Sequence, residues 1–310
     1  MGTAIVARGR PADCLVIGGG PAGLTAAIYL ARFRRSCLVV DAEASRASWI
    51  PVSHNLAGFP DGIAGQELLA RMRAQAKRYG AQSAKGQVEL LEKSEPGFVA
   101  VMVDGTRHSA RRILLATGTE DVPPPLDLPD RKAAVQRGLL RYCPICDAYE
   151  VTGRKIALAG TRRCRVKEAL LLRGYTADLS LITLRDTWEL PDMERSQLAA
   201  AGIKIIEAPA AELVLEDQAL AVRTVDDTWH RFDTLYVALG LRARSGLALA
   251  LGAQRDPEGA LTVTAHQETS VPGLYAAGDV VQGLAQIAVA MGQAAIAATA
   301  IHNGLDPVRA

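Results

Sequence analysis

Cys14-Leu15-Val16-Ile17-Gly18-Gly19-Gly20-Pro21-Ala22-Gly23 runs an apolar strand straight into a glycine turn with G-x-G-x-x-G spacing. Gly18 permits the tight turn, Gly20 lets backbone amides come close to a pyrophosphate, and Gly23 lets the following helix pack against the strand. Pro21 and Ala22 open that helix, whose N-terminus is where an anion is held. About 20 residues onward an acid is expected to take ribose hydroxyls. Asp41 stands there, closing the strand Leu38-Val39-Val40. A glycine fingerprint alone would fit a bare turn. Strand, glycines, helix and acid in this order point to a dinucleotide site.

The same plan, strand, glycine turn, helix and second strand, occurs at Cys14–Asp41 and again at Lys155–Arg185. Such alternation implies α/β architecture with doubly wound parallel sheets. Between the two lie an amphipathic helix at Gly65–Tyr79, with Leu68, Leu69 and Met72 on its apolar face, and alternating runs at Gln87–Leu91 and Phe98–Val103 that suggest an antiparallel meander. Pro123-Pro124-Pro125 favours an extended connector and marks a domain boundary. Beyond the second unit, Leu213–Val225 and Thr228–Leu239 read as further strands, and Gly273–Asn303 as a strand, a Gly278-Asp279 turn and a helix of small residues.

A chain of 310 residues, 49% hydrophobic and 22% charged, is large enough for two cores. The net charge of +2 comes from scattered Lys and Arg, which gives no electrostatic footprint for nucleic acid or an anionic membrane. No apolar run reaches the ~20 residues of a membrane span, and residues 1–13 lack the apolar core of a signal peptide, so a cytoplasmic protein is expected. Of five cysteines, only Cys143 and Cys146 form a C-x-x-C. Zinc normally needs a second ligand pair at similar spacing, and the sequence has none, which favours redox chemistry. Cys14 and Cys37 fall in core strands and read as small hydrophobes.

Leu115-Ala116-Thr117-Gly118 and Gly273-Leu274-Tyr275-Ala276-Ala277-Gly278-Asp279 resemble the two segments that line FAD in flavoproteins with two dinucleotide-binding domains. The resemblance implies FAD contacts at Ala116, Thr117, Gly118, Gly278 and Asp279, the last bonding the ribityl chain. Tyr142-Cys143-Pro144-Ile145-Cys146-Asp147, placed after the proline connector, is similar to the redox segment of the small bacterial type of thioredoxin reductase. That family implies two Rossmann-like domains. A discontinuous FAD-binding domain, residues 1–120 and 246–310, would carry an inserted NAD(P)-binding-like domain, residues 121–245, that holds the cysteines. It also implies catalytic roles for Cys146 facing the flavin, Cys143 exchanging with substrate and Asp147 as general acid/base, with a thioredoxin-like protein or small dithiol/disulfide as partner and a homodimer as the working form.

His54-Asn55-Leu56-Ala57-Gly58-Phe59-Pro60 resembles the family's N-x-P-G loop beside the flavin ring, which puts Asn55 among the cofactor residues; Ala57 replaces the proline. Gln286, with Ile287 after it, matches the glutamine of the family's R-Q motif, although Ala285 stands where the arginine would be. His54 reads either as an acid/base or as a hydrogen-bonding loop residue.

The second nucleotide loop departs from the family. Family members that use NADPH carry G-x-G-x-x-A and an H-R-R cluster; this chain has Ala159-Gly160-Thr161-Arg162-Arg163-Cys164-Arg165 and Thr183-Leu184-Arg185-Asp186. Arg162 occupies the close-approach position, and Asp186 would repel a 2′-phosphate, so both argue against NADPH. The opposing reading has Arg162, Arg163 and Arg165 grip the diphosphate by charge. The sequence therefore indicates an FAD-dependent dithiol/disulfide oxidoreductase with three possible electron partners: NADPH, ferredoxin or oxygen. A non-enzymatic flavin-binding sensor is the reading from a different class, and it requires the thiol pair to be inert.

Overall fold

The computed structural model describes residues 11–161, 165–184 and 190–308. Its chain divides into two compact units. One comprises the described residues up to Ser48, Gly65–Glu120 and the described residues from Arg242 on; the other comprises Trp49–Ala64 and Asp121–Leu241. The sequence placed the second crossing at 245/246, whereas the division falls between Leu241 and Arg242. It also assigns Trp49–Ala64 to the second unit.

In the first unit, parallel strands Gln82–Lys85, Cys37–Asp41, Ala12–Ile17 and Arg107–Leu115 lie side by side in that order. Leu274–Ala276 pairs in parallel with Arg107–Leu115. Val88–Ser94 and Gly97–Met102 complete the sheet as an antiparallel meander. Side chains alternate along a strand, so the apolar run 14–17 needs cover on both faces. Cys14 and Val16 pack among helices Pro21–Arg32 and Ile287–Asn303, where Ala22 and Ala26 share a core with Ala290, Ala294 and Ala297. Leu15 and Ile17 face the opposite core with Val40, Leu91, Phe98 and Leu261.

The second unit repeats the scheme. Leu140–Arg141, Thr234–Ala238, Ile156–Gly160, Leu179–Leu184 and Lys204–Leu215 form a parallel sheet in that order, extended by the antiparallel strands Leu220–Thr224 and Trp229–Phe232. Ala157 and Ala159 face one core while Ile156 and Leu158 face the other. Both architectures are Rossmann-like α/β. The two long strands expected at Leu213–Val225 and Thr228–Leu239 are each divided. The polar stretch Glu216–Gln218 turns the chain back at Ala219, whose carbonyl accepts from Glu216 N at 2.9 Å. At Asp233 the chain leaves the antiparallel ribbon, and the Asp233 carboxylate accepts from Lys155 N as Thr234 joins the parallel sheet.

Candidate active site

The first unit gathers most of the residues expected around FAD. Gly18 sits at φ +114°, and a Cβ there would lie 2.2 Å from the Ala116 carbonyl oxygen. At Gly23 a Cβ would lie 1.9 Å from the Gly18 carbonyl oxygen. Gly19 is also crowded, since a Cβ there would meet Asp41 Oδ2 at 2.0 Å, but its neighbour is a side chain that can turn aside, not fixed backbone. The G-x-G-x-x-G template treats that position as free and so does not flag it. Gly20, the N-cap residue of helix Pro21–Arg32, is extended; no side chain caps the helix and its first turn carries no acid. Unclaimed amides at a helix start favour an anion.

Asp41 accepts from Glu43 N at 2.9 Å and lies 3.3 Å from the Arg73 guanidinium, a partner 32 residues away that the motif does not reveal. Ala116 N donates to Ile17 O. Thr117 Oγ1 donates to Arg244 O at 2.8 Å, and Gly118, at φ +68°, accepts from Arg244 N. Gly278, at φ +84°, has room for no Cβ beside Ala22, and its N–H donates to Gln293 Oε1 on the last helix. Asp279 pairs with Arg46 at 3.6 Å. Gln286 caps the last helix and Ile287 begins it. A backbone cradle that a methyl group would fill, an uncapped helix start and an acid on the adjoining strand end together fit a dinucleotide such as FAD. Asn55 belongs to the second unit, where its Oδ1 accepts from Ser53 Oγ at 3.1 Å. His54 is exposed in the same loop, pressed against Gly62.

Cys143 and Cys146 are joined in a disulfide with a Cα–Cα separation of 5.3 Å. Cys143 is the extended N-cap residue of the single turn Pro144–Asp147, and the turn closes through a Cys146 N to Cys143 O hydrogen bond of 2.9 Å. Pro at the first helical position suits this geometry, since its missing N–H costs nothing there. Both cysteines are half-buried, while Ile145 between them and Tyr149 beyond are exposed.

Asp147 is held from two sides. Its Oδ2 accepts from the Arg141 guanidinium at 2.5 Å and its Oδ1 from Tyr236 Oη at 2.8 Å. Arg141 and Tyr236 are register partners on adjacent parallel strands, so their side chains emerge on the same face. Burial pushes the Asp147 carboxyl above its ordinary range, against the opposing pull of Arg141 and Tyr236. Burial and the neighbouring carboxylate push Tyr236 far up, so it stays a hydrogen-bond donor. Neither Arg141 nor Tyr236 belongs to a recognisable motif. The one hint is an arginine interrupting the apolar run Leu139-Leu140-Arg141-Tyr142.

The second nucleotide loop is only partly described: Arg162, Arg163, Cys164, Arg185 and Asp186 lie outside the described residues. Arg165 is described and overturns its part in a phosphate grip. It is 1% exposed, and its Nε and Nη2 donate to Glu194 Oε2 at 3.2 and 2.9 Å. Glu168, in the first turn of the same helix, is pushed up to about 7 by burial, and its Oε2 has no hydrogen-bond partner among the described residues. Cys14 and Cys37 are buried register partners, and burial raises both thiols, Cys37 to about 12. Among the described residues no group of His, Cys, Asp and Glu could hold a metal, and no helix is long and apolar enough to cross a membrane.

Two Rossmann-like units, one with a glycine cradle and one with the Cys143–Cys146 disulfide, are the plan of flavin-linked disulfide oxidoreductases. The family model for pyridine nucleotide-disulphide oxidoreductases matches residues 12–294, and the chain belongs to that family. It is 31% identical over 282 residues to the thioredoxin reductase of Streptomyces coelicolor, covering 87% of this chain and 86% of that protein. The solved structure of HlmI is similar at a TM-score of 0.87 and 34% identity, covering 94% of this chain and 92% of that one. The thioredoxin reductase of Streptococcus pyogenes is similar at a TM-score of 0.86 and 26% identity, covering 94% and 97%. With these relatives the protein is a thioredoxin reductase-like disulfide oxidoreductase, an enzyme of a type that depends on FAD.

Proposed function

We propose that Cys143 and Cys146 exchange two electrons with an external dithiol or disulfide, that Asp147 carries the proton, and that pyridine nucleotide is not the electron partner. The observation that carries the reading is the half-buried disulfide followed at once by a carboxylate fixed on Arg141 and Tyr236. In the oxidising direction, a thiolate of the external dithiol attacks Cys143 Sγ, and Cys146 leaves with the electron pair of the broken S–S bond. The second external thiol, giving its proton to Asp147, then attacks its own partner sulfur in the mixed disulfide. Cys143 leaves as a thiolate and takes that proton back from Asp147. The external dithiol loses two electrons and the cysteine pair gains them. FAD, when bound, supplies the two-electron partner for the reduced pair.

The cradle residues Gly18, Gly20, Gly23, Asp41, Ala116–Gly118, Gly278 and Asp279 would hold it, with Gln286, Ile287 and Asn55 as the further contacts that the family pattern supports. Burial of Arg165 in an ion pair with Glu194, together with Arg162 at the close-approach position, supports a second unit without a working nucleotide site. That favours a ferredoxin-linked or oxygen-using dithiol enzyme over an NADPH-fed reductase. The external partner is a thioredoxin-like protein or a small dithiol, met in the cytoplasm by a homodimer. The test is anaerobic mixing of the FAD-loaded protein with reduced dithiothreitol and, separately, with NADPH: the dithiol should bleach the flavin and NADPH should not.

A further inference from the structure

Asp147 is tied to two residues that no motif assigns. Arg141 ends the strand Leu140–Arg141, and Tyr236 lies opposite it in register on Thr234–Ala238. Each takes a different oxygen of the same carboxylate, Arg141 taking Oδ2 and Tyr236 taking Oδ1. Tyr236 Oη also lies 3.2 Å from the Asp147 carbonyl oxygen. A carboxylate with both oxygens engaged cannot rotate without breaking one of these bonds. Tyr236 is fully buried and Arg141 mostly so, which makes the two partners rigid parts of the sheet rather than mobile surface groups.

We propose that Arg141 and Tyr236 are positioning residues for thiol–disulfide exchange: they fix the Asp147 carboxylate on the turn that carries Cys146 and set the pH at which it exchanges its proton. The inference rests on Asp147 being the proton carrier. The charged and titratable groups acting on Asp147 are Arg141, Tyr236 and Glu150. Arg141 favours the ionised carboxylate, whereas burial and the Glu150 charge favour the protonated one. Removing the cation leaves burial opposed by the Tyr236 hydrogen bond alone, so Asp147 should hold its proton to higher pH.

The test compares FAD-loaded wild type with Arg141→Met, Arg141→Lys, Tyr236→Phe and Asp147→Asn. The rate of flavin bleaching by reduced dithiothreitol is followed anaerobically from about pH 4 to about pH 9, so that an inflection raised above the ordinary carboxylate range is covered. The reagent's own titration is common to all five proteins. The inflection belonging to Asp147 should move up by about one pH unit in Arg141→Met, return toward wild type in Arg141→Lys, and move up less in Tyr236→Phe. It should vanish in Asp147→Asn. A uniform loss of rate with an unmoved inflection, or no change, in Arg141→Met and Tyr236→Phe overturns the inference. Arg141→Lys and Tyr236→Phe decide the matter if Arg141→Met does not fold. An inflection that persists in Asp147→Asn instead overturns the assignment of Asp147 as proton carrier, so the two failures are distinguishable.

Discussion

The two glycine turns of this chain start from one blueprint and end in opposite states. At Gly18–Gly23 the backbone is packed so closely that Gly18 and Gly23 leave no room for a methyl group, Gly19 lies against the Asp41 side chain, and the helix that follows begins uncapped with no acid in its first turn. At Gly160–Arg165 one glycine remains. The helix there carries a buried arginine, Arg165, paired with Glu194, and Glu168, whose Oε2 has no hydrogen-bond partner among the described residues. An anion is welcomed at the first turn by amides and dipole; at the second it would meet a carboxylate and a cation already spent on an internal partner. The βαβ fold of the second unit does not depend on a full set of loop glycines, because both faces of its strands are buried. The apolar pattern that builds the sheet is separate from the glycines that build the site.

Three substitutions probe that contrast. The largest effect is expected from Gly23→Val in the first turn, since a side chain there collides with the Gly18 backbone. The purified protein should lose its bound flavin almost completely, as read from its visible absorbance, and retention of full flavin would break the account of the cradle. Glu168→Gln addresses the second turn. Burial pushes the Glu168 carboxyl up to about 7 in the folded chain, above its ordinary range, so the folded state favours the protonated form. Its burial therefore costs nothing below the unfolded value, and the cost grows as pH rises, reaching its full size above the folded value. Glu168→Gln should match wild type near pH 4 and be the more stable near pH 8, by about 1 kcal/mol once solvent screening of this half-buried group is allowed for, measured by denaturant unfolding at the two pH values. Equal stability at both would show that Glu168 is not the buried acid described. Arg165→Met leaves Glu194 without its cation. Glu194 is partly exposed and can rehydrate, so a loss of about 2 kcal/mol is expected, less than the ~3–5 kcal/mol that breaking a fully buried pair costs. Flavin content should not change in this variant; if it fell as far as in Gly23→Val, the two turns would not be independent.

Much of the fold could be read from the chain because it is written in local patterns. Strand–glycine–helix–strand is continuous at Cys14–Asp41, and the small-residue helix Ile287–Asn303 announces close packing by its alanines. The disulfide pair is likewise a four-residue signal. What escaped the sequence are relations between distant residues. Tyr236 reaches Asp147 across 89 positions through the pairing of two strands, and Gly19 is crowded by the Asp41 carboxylate rather than by its place in the motif. Arg165 misled for the opposite reason: beside Arg162 and Arg163 it reads as part of a surface charge cluster, whereas the helix turns it inward to Glu194. The runs at Leu213–Val225 and Thr228–Leu239 misled because hairpin strands and a parallel core strand have the same β-branched composition, so apolar content did not reveal the breaks at Glu216–Gln218 and Asp233.

The central claim is that electrons pass between the external dithiol and the flavin through the Cys143/Cys146 pair, and that the second nucleotide loop is not their route. It is tested most directly by mixing FAD-loaded wild type and Cys146→Ser anaerobically with excess reduced dithiothreitol or with NADPH, and following the flavin absorbance. The account predicts that the dithiol bleaches wild type and leaves Cys146→Ser oxidised, and that NADPH bleaches neither. Bleaching of wild type by NADPH as fast as by the dithiol, or full bleaching of Cys146→Ser by the dithiol, would contradict it.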